Sequence, residues 1–222
     1  MTRTPGFGNY KDKYKVDVPV GKSGEWEIRR IVVSPQDAEI TSITALSSSY
    51  GRGYVSPGTY TGLFSSPGQR FPIMSDTRDE IRDHLGFIHA ARGDILIAGL
   101  GIGMALQAVL MKDAVSHVTV IEKSTDVISL VADHYYAKFG HDRLEIVNAD
   151  IFEWKPPKGR AWAYAWFDIW DDIDVGNRSE MTRLRRKFGR SAKVKMCWCE
   201  ALIEHMYQQG KKEQRRYGYW AF

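Results

Sequence analysis

Asp168 and Asp171 follow an unusually aromatic run, 161–167 (AWAYAWF), and stand three positions apart. Two carboxylates at that spacing, just past a strand, can hold a cationic group and take a proton from it. Glu122 closes an apolar run at 118–121, and Asp150 follows another at 144–147. An acid at a strand end about 20 positions beyond a glycine turn is placed to accept hydrogen bonds from ribose hydroxyls. Glu122 has that position, and Asp150 repeats the pattern one strand later, although a turn or helix N-cap would also explain an Asp there. The glycine turn itself is Gly99, Gly101 and Gly103, after Ile95-Leu96-Ile97-Ala98. Glycines at alternate positions permit a tight turn and bring bare backbone close to a ligand.

These groups need elements to position them. The four runs ending in Gly, Glu, Asp and Asp read as strands separated by helical patterns. They predict an α/β fold, a Rossmann-like doubly wound and mostly parallel sheet whose ligand crevice lies at the strands' carboxyl ends. A helix is expected over 77–91, with Thr77 and Glu80 as a capping box, Ile81, Leu85 and Ile88 on its apolar stripe, and Gly93 as its stop. A second should open at Met104, and a third should carry Val127, Val131 and Tyr135 on one face. Upstream, residues 1–24 are polar and predict a loosely held arm. Residues 25–74 predict a β-rich cap, with strands over 26–33, 60–64 and, more weakly, 39–46. Tyr50, Tyr54 and Tyr60 there suit either a substrate lid or ordinary hairpin packing. The expected division is therefore an arm and cap over 1–74 and a ligand-binding domain over 75–222. After Asp172 the pattern predicts a helix over 178–188, a strand near 193–198 and a helix over 200–210. This abbreviated C-terminal part would leave the far side of the site short or supplied by a partner subunit in a homo-oligomer.

Composition limits the function classes. With 222 residues, 43% of them hydrophobic, the chain can bury a substantial core, so it is not a disordered segment. No apolar run approaches the roughly 20 residues that span a bilayer, and the first fifteen residues lack a signal peptide's apolar centre, so a cytoplasmic protein without a membrane partner is expected. Cys197 and Cys199 flank one tryptophan, with no zinc-like spacing nearby, which predicts reduced thiols and no metal. Charge is uneven: from Arg178 onward there are 12 Lys and Arg against 4 Asp and Glu, while the preceding residues carry 19 against 23. The basic tail, RLRRKFGR at 183–190 and KKEQRR at 211–216, reads first as solvated helix faces and second as a weak nucleic-acid contact.

The spacing G-x-G-x-G, with Met104 where the nicotinamide fingerprint needs Gly or Ala, resembles motif I of the class I S-adenosylmethionine-dependent methyltransferases. From about Ile95 to Asp172 the chain is similar to spermidine synthases and to the spermidine-synthase-like methyltransferases of bacteria and phages. The resemblance implies S-adenosylmethionine as cofactor, with Gly99, Gly101 and Gly103 as its loop, Glu122 on the ribose, and Asp150 beside the adenine amino group. Ile151 or Phe152 would cover the adenine ring. Asp168 and Asp171 match the D-x-x-D of the aminopropyltransferases and become the catalytic candidates, Asp168 as base or orienter. This chain has Ile102 where the synthases carry Asp, and no Pro follows the second Asp. It also lacks the N/D-P-P-Y/F/W motif and the Pro-Cys nucleophile of base methyltransferases. Methyl transfer to an unidentified acceptor, a small molecule or another, is the expected function. The alternatives are aminopropyl transfer from decarboxylated S-adenosylmethionine, and a nucleoside-binding protein without turnover that uses its tail for a partner.

Overall fold

The computed structural model describes residues 13–47, 52–66 and 68–217. The first sheet is antiparallel and uses β1 (Gly21–Ser23), β2 (Trp26–Val33), β3 (Gly58–Phe64) and β4 (Met74–Ser75) in that order. Residues 39–46 are not a strand but part of helix α1 (Pro35–Ser47). Its start explains why: the amide of Asp37 donates to Ser34 Oγ at 3.1 Å while the amide of Ser34 donates to Asp37 Oδ2 at 3.1 Å. That reciprocal cap, followed by Pro at the first helical position, outweighs the β-branched residues downstream.

The arm is also less loose than its composition suggests, as far as residues 13–24 show; residues 1–12 lie outside the described residues. Tyr14, Val16 and Val18 are buried. The amide of Val16 donates to Asp76 Oδ2 at 3.1 Å, and its carbonyl accepts from Thr61 Oγ1 at 3.0 Å. This polar stretch therefore gains its order from long-range partners, which no local pattern reports.

Helix α2 (Arg78–Ala90) leads into the second sheet, built from β5 (Gly93–Ala98), β6 (Val115–Glu122), β7 (Leu144–Asn148), β8 (Trp162–Phe167) and β9 (Ala192–Cys197). All its pairings are parallel and its order is β7-β6-β5-β8-β9, the doubly wound arrangement. The other helices are α3 (Met104–Leu110), α4 (Thr125–Phe139), α5 (Asn177–Lys187) and α6 (Glu200–Tyr217), which runs past the expected end at 210. β5 sits at the centre and buries both faces. Ile95 and Ile97 join a cluster with Ile81, Phe87, Ile88, Val109 and Val131, whereas Leu96 and Ala98 join Trp162, Phe167, Met181, Leu184 and Ile203. Ile28 and Leu63 of the first sheet belong to the former cluster, so the cap shares its core with the parallel sheet.

Two details of α2 differ from the sequence reading. Thr77 is the N-cap, but its hydroxyl makes no cap bond; it pairs with Ser75 Oγ at 3.0 Å. The helix ends at Ala90, with the Ala91 amide bonded to the Phe87 carbonyl, and Gly93 already belongs to β5. The connection from β7 to β8 holds a turn at 151–153 in place of a crossover helix.

Candidate functional site

The carboxyl ends of the parallel strands open on one crevice of about 580 Å³. Gly99 and Gly101, Glu122, Asp150 and Ile151, and Asp168 and Asp171 all line it, so residues up to 72 positions apart in sequence meet in one place. Gly103 does not. It is the N-cap of α3 with φ +73°, and a Cβ there would lie 2.1 Å from the Tyr135 ring. Its role is to let the turn pass over Tyr135, whose hydroxyl donates to the Ile102 carbonyl at 2.8 Å. Ile102 is fully buried in the apolar core and is not among the described residues that line the crevice.

Gly99 is required for another reason. With φ +92°, it lets β8 end against the turn: a Cβ there would be 1.9 Å from the Asp168 carbonyl oxygen, and the Asp168 amide donates to the Ala98 carbonyl at 2.9 Å. Close approach of these two strand ends brings the Asp168 side chain to the glycine turn.

Glu122 braces the turn it faces. Its Oε2 accepts from the Leu100 amide at 2.7 Å and its Oε1 from the Ser124 amide at 2.8 Å. A carboxylate oxygen has two lone pairs, so each still has one for a ligand hydroxyl. Asp150 is both a turn residue and a lining residue. Its Oδ1 accepts from the Phe152 amide at 2.8 Å, and its Oδ2 pairs with Lys123 at 3.0 Å; these contacts hold its carboxyl below the usual range. Asp171 stands exposed at the mouth, its carboxyl raised by partial desolvation and by Asp172 beside it.

Asp168 carries a partner that sequence reasoning missed. His84 of α2 is fully buried, and its Nε2 lies 2.7 Å from Asp168 Oδ2. Its Nδ1 lies 2.8 Å from the carbonyl oxygen of Glu80, which can only accept, so Nδ1 bears a proton. The proton in the Nε2 contact then makes the ring an imidazolium against an ionised Asp168. Burial alone would lower the histidine; the charge and hydrogen bond of Asp168, with Glu80, outweigh it and raise His84 to about 9. Trp166 packs 5.5 Å from the His84 ring and stacks on Phe87 at 4.8 Å, which fixes α2 against β8. The available signal was a histidine three residues after Ile81 and four before Ile88, on the buried side of the stripe where Leu85 had been expected.

Glu80, on the same helix, also lines the crevice, as does Trp198, whose buried indole N–H meets no acceptor among the described residues. The cap contributes Trp26, Leu63, Ile73 and Met74. Of its tyrosines, Tyr60 is buried and donates to the Ser56 carbonyl at 2.8 Å, as hairpin packing predicts, Tyr54 is not among the described lining residues, and Tyr50 lies outside the described residues.

Much of the basic tail is engaged internally. Arg178 Nε donates to Glu204 Oε2 at 2.8 Å, Arg185 pairs with Glu200, and Lys187 Nζ donates to the Phe152 carbonyl at 2.7 Å. Both cysteine thiols are free, and burial pushes Cys197 up to about 12. Among the described residues no helix is long and apolar enough to cross a membrane.

Parallel strand order, glycine turn and acid-lined crevice define a Rossmann-like α/β protein with a crevice at the strands' carboxyl edge. No family model matches the chain. Over 108 residues, 42% of this chain, it is 33% identical to polyamine aminopropyltransferase 1 of Streptomyces coelicolor, and it spans only 20% of that protein's length. Among solved structures it is similar to an S-adenosylmethionine-dependent methyltransferase from Clostridium acetobutylicum, with 12% identity, 52% of this chain and 44% of that one covered, and a TM-score of 0.38. It is likewise similar to the 23S rRNA methyltransferase ErmE, with 21% identity, 60% and 52% covered, and a TM-score of 0.42.

Proposed function

We propose that this chain is an S-adenosylmethionine-dependent transferase and that methyl transfer to a small acceptor is its reaction. The observation that carries this reading is the single crevice shared by Gly99, Gly101, Glu122, Asp150, Ile151 and Asp168. Its volume suits a small ligand, within the roughly 300–1,000 Å³ of such sites. The lining fits the cofactor chemically. Glu122 retains lone pairs for ribose hydroxyls, and Ile121, Ile151 and Phe152 offer apolar walls for a base. Among the described lining residues Glu80, Glu122, Asp150, Asp168, Asp171 and Glu180 oppose one lysine, Lys123, a balance that favours a cationic sulfonium and disfavours the pyrophosphate of a dinucleotide.

When bound, the sulfonium supplies a carbon already activated for transfer. The protein's task is to align the acceptor, exclude water and manage a proton. Asp168 and Asp171 line the same crevice as the residues assigned to the nucleoside, and in this reading they take the acceptor. Aminopropyl transfer is the second reading. It is favoured by the 33% identical stretch and by the same two carboxylates, which would hold a cationic amine.

Calorimetric titration with intact and decarboxylated S-adenosylmethionine tests the reading, alongside turnover on a panel of amines and hydroxyl compounds followed by mass spectrometry. Wild type should bind one of the two forms. Glu122→Ala should weaken binding roughly 10- to 150-fold, the equivalent of about 1.5–3 kcal/mol for charge-assisted contacts. Gly101→Val should weaken it too, because a Cβ at 101 already meets Met74 Sδ at 2.2 Å. Binding of NAD with no affinity for either sulfonium would overturn the proposal; tight binding without turnover on any acceptor would favour a binding protein.

A further inference from the structure

Resting on the transferase reading, we propose that Glu80 takes the proton from the acceptor, while Asp168, tied to His84, holds the acceptor in place. The two carboxyls line the same crevice but are held differently. Asp168 Oδ2 is engaged by the fully buried His84, whose other nitrogen donates to the Glu80 carbonyl. That pair is fixed by packing: α2 presents the ring, Trp166 closes over it, and the Asp168 backbone is anchored by its bond to Ala98. A carboxylate whose charge is already committed to a rigid imidazolium is suited to orienting a ligand through its remaining oxygen.

Glu80 differs in each respect. It lies one helical turn before His84, and its side chain makes no hydrogen bond or ion pair with any described residue. Half-buried at the crevice wall, it lines the same crevice as Asp168, with Asp83, the Arg52 guanidinium paired to Asp83, and the Cys199 thiol as the other ionisable groups around it. Burial raises its carboxyl most; the Asp168 and Asp83 charges add to that, His84 and Arg52 oppose it, and the balance stands at about 7. A carboxyl without a side-chain bond, beside one bound to a buried imidazolium, is an arrangement that divides base from orienter, and a proton acceptor works best near the operating pH.

The proton balance is simple. An ammonium acceptor gives one proton to the Glu80 carboxylate, which becomes a carboxylic acid, and the freed nitrogen lone pair forms the new bond to the transferred carbon as the carbon–sulfur bond of the sulfonium breaks, its electron pair leaving on a neutral thioether. The nitrogen is then cationic again and keeps its remaining protons, while Glu80 returns its proton to water through the open mouth.

The test has one arm that needs no ligand. Carbon-13 labelling of glutamate and aspartate side-chain carboxyls should show one glutamate resonance titrating near pH 7 in wild type and absent in Glu80→Gln, with a new aspartate resonance of raised midpoint in Glu80→Asp. In turnover, kcat/KM should rise to a plateau through that same pH; Glu80→Gln should lose the rise and on the order of 10²–10⁴-fold in kcat, with S-adenosylmethionine affinity near normal. Asp168→Asn should instead raise KM for the acceptor. The assignment is overturned if all glutamates titrate near their ordinary value, or if Glu80→Gln keeps wild-type rate and pH profile. A wild type that binds no sulfonium would overturn the transferase reading separately, and the labelled titration would still report on Glu80.

Discussion

Replacing His84 with glutamine should remove a pH-dependent part of the protein's stability, and the structure sets the size of that part. The ring is fully buried, bonded to Asp168 at 2.7 Å, and raised from its ordinary 6.5 to about 9. Between those values the folded protein holds a proton that the unfolded chain has released. The contribution is therefore fully present below pH 6.5 and is lost as pH rises through about 9. At roughly 1.4 kcal/mol per pH unit the interval corresponds to about 3 kcal/mol. That agrees in scale with the roughly 3–5 kcal/mol lost when one partner of a buried pair is removed. Urea unfolding of wild type and His84→Gln at pH 6, 7, 8, 9 and 10 measures it. The variant should be less stable by about 3 kcal/mol at pH 6, and the two curves should converge above pH 9. Glu80 has the same sign over a lower window, from 4.5 to about 7 in wild type, and because the His84 charge opposes that rise, the window should extend upward in the variant. A difference between wild type and variant that stays constant from pH 6 to 10 would refute the imidazolium–carboxylate pair.

Two further outcomes are expected. Gly103→Ala should lower the melting temperature, because a side chain at φ +73° is strained by about 1–2 kcal/mol and its Cβ would press on the Tyr135 ring; since Gly103 does not line the crevice, cofactor affinity measured below the transition should survive. Oligonucleotide binding through the tail should be weak and should fall steeply between about 50 and 200 mM salt in fluorescence anisotropy, since Arg178, Arg185 and Lys187 are already occupied; tight, salt-resistant binding would contradict that.

The sequence by itself determined what depends on near neighbours along the chain. Ile95-Leu96-Ile97-Ala98 has to be buried on both faces, the three glycines have to turn, and an apolar run followed by an acid has to place that acid at a strand end; β5, β6, β7 and β8 follow from this, as does the Val127, Val131, Tyr135 face of α4. The same local logic failed at 39–46, where β-branched residues suggested a strand and the Ser34-Pro35-Gln36-Asp37 cap produced a helix. Tertiary structure decided what depends on pairs far apart. His84 and Asp168 are separated by 84 positions, and only the packing of α2 on β8 turns a histidine in an apolar stripe into a buried cation beside a carboxylate. Glu122 could be placed at a strand end from sequence, but its bond to the Leu100 amide 22 residues earlier, which stiffens the glycine turn, required the register of β5 on β6. Gly103 had the right spacing for a ligand loop and was assigned to Tyr135 instead, because one ring 32 residues away fills the space a ligand would need. Charge and burial act through space, so the identity of a carboxyl can be read from the chain while its protonation, and therefore its chemistry, is set by neighbours that only the fold supplies.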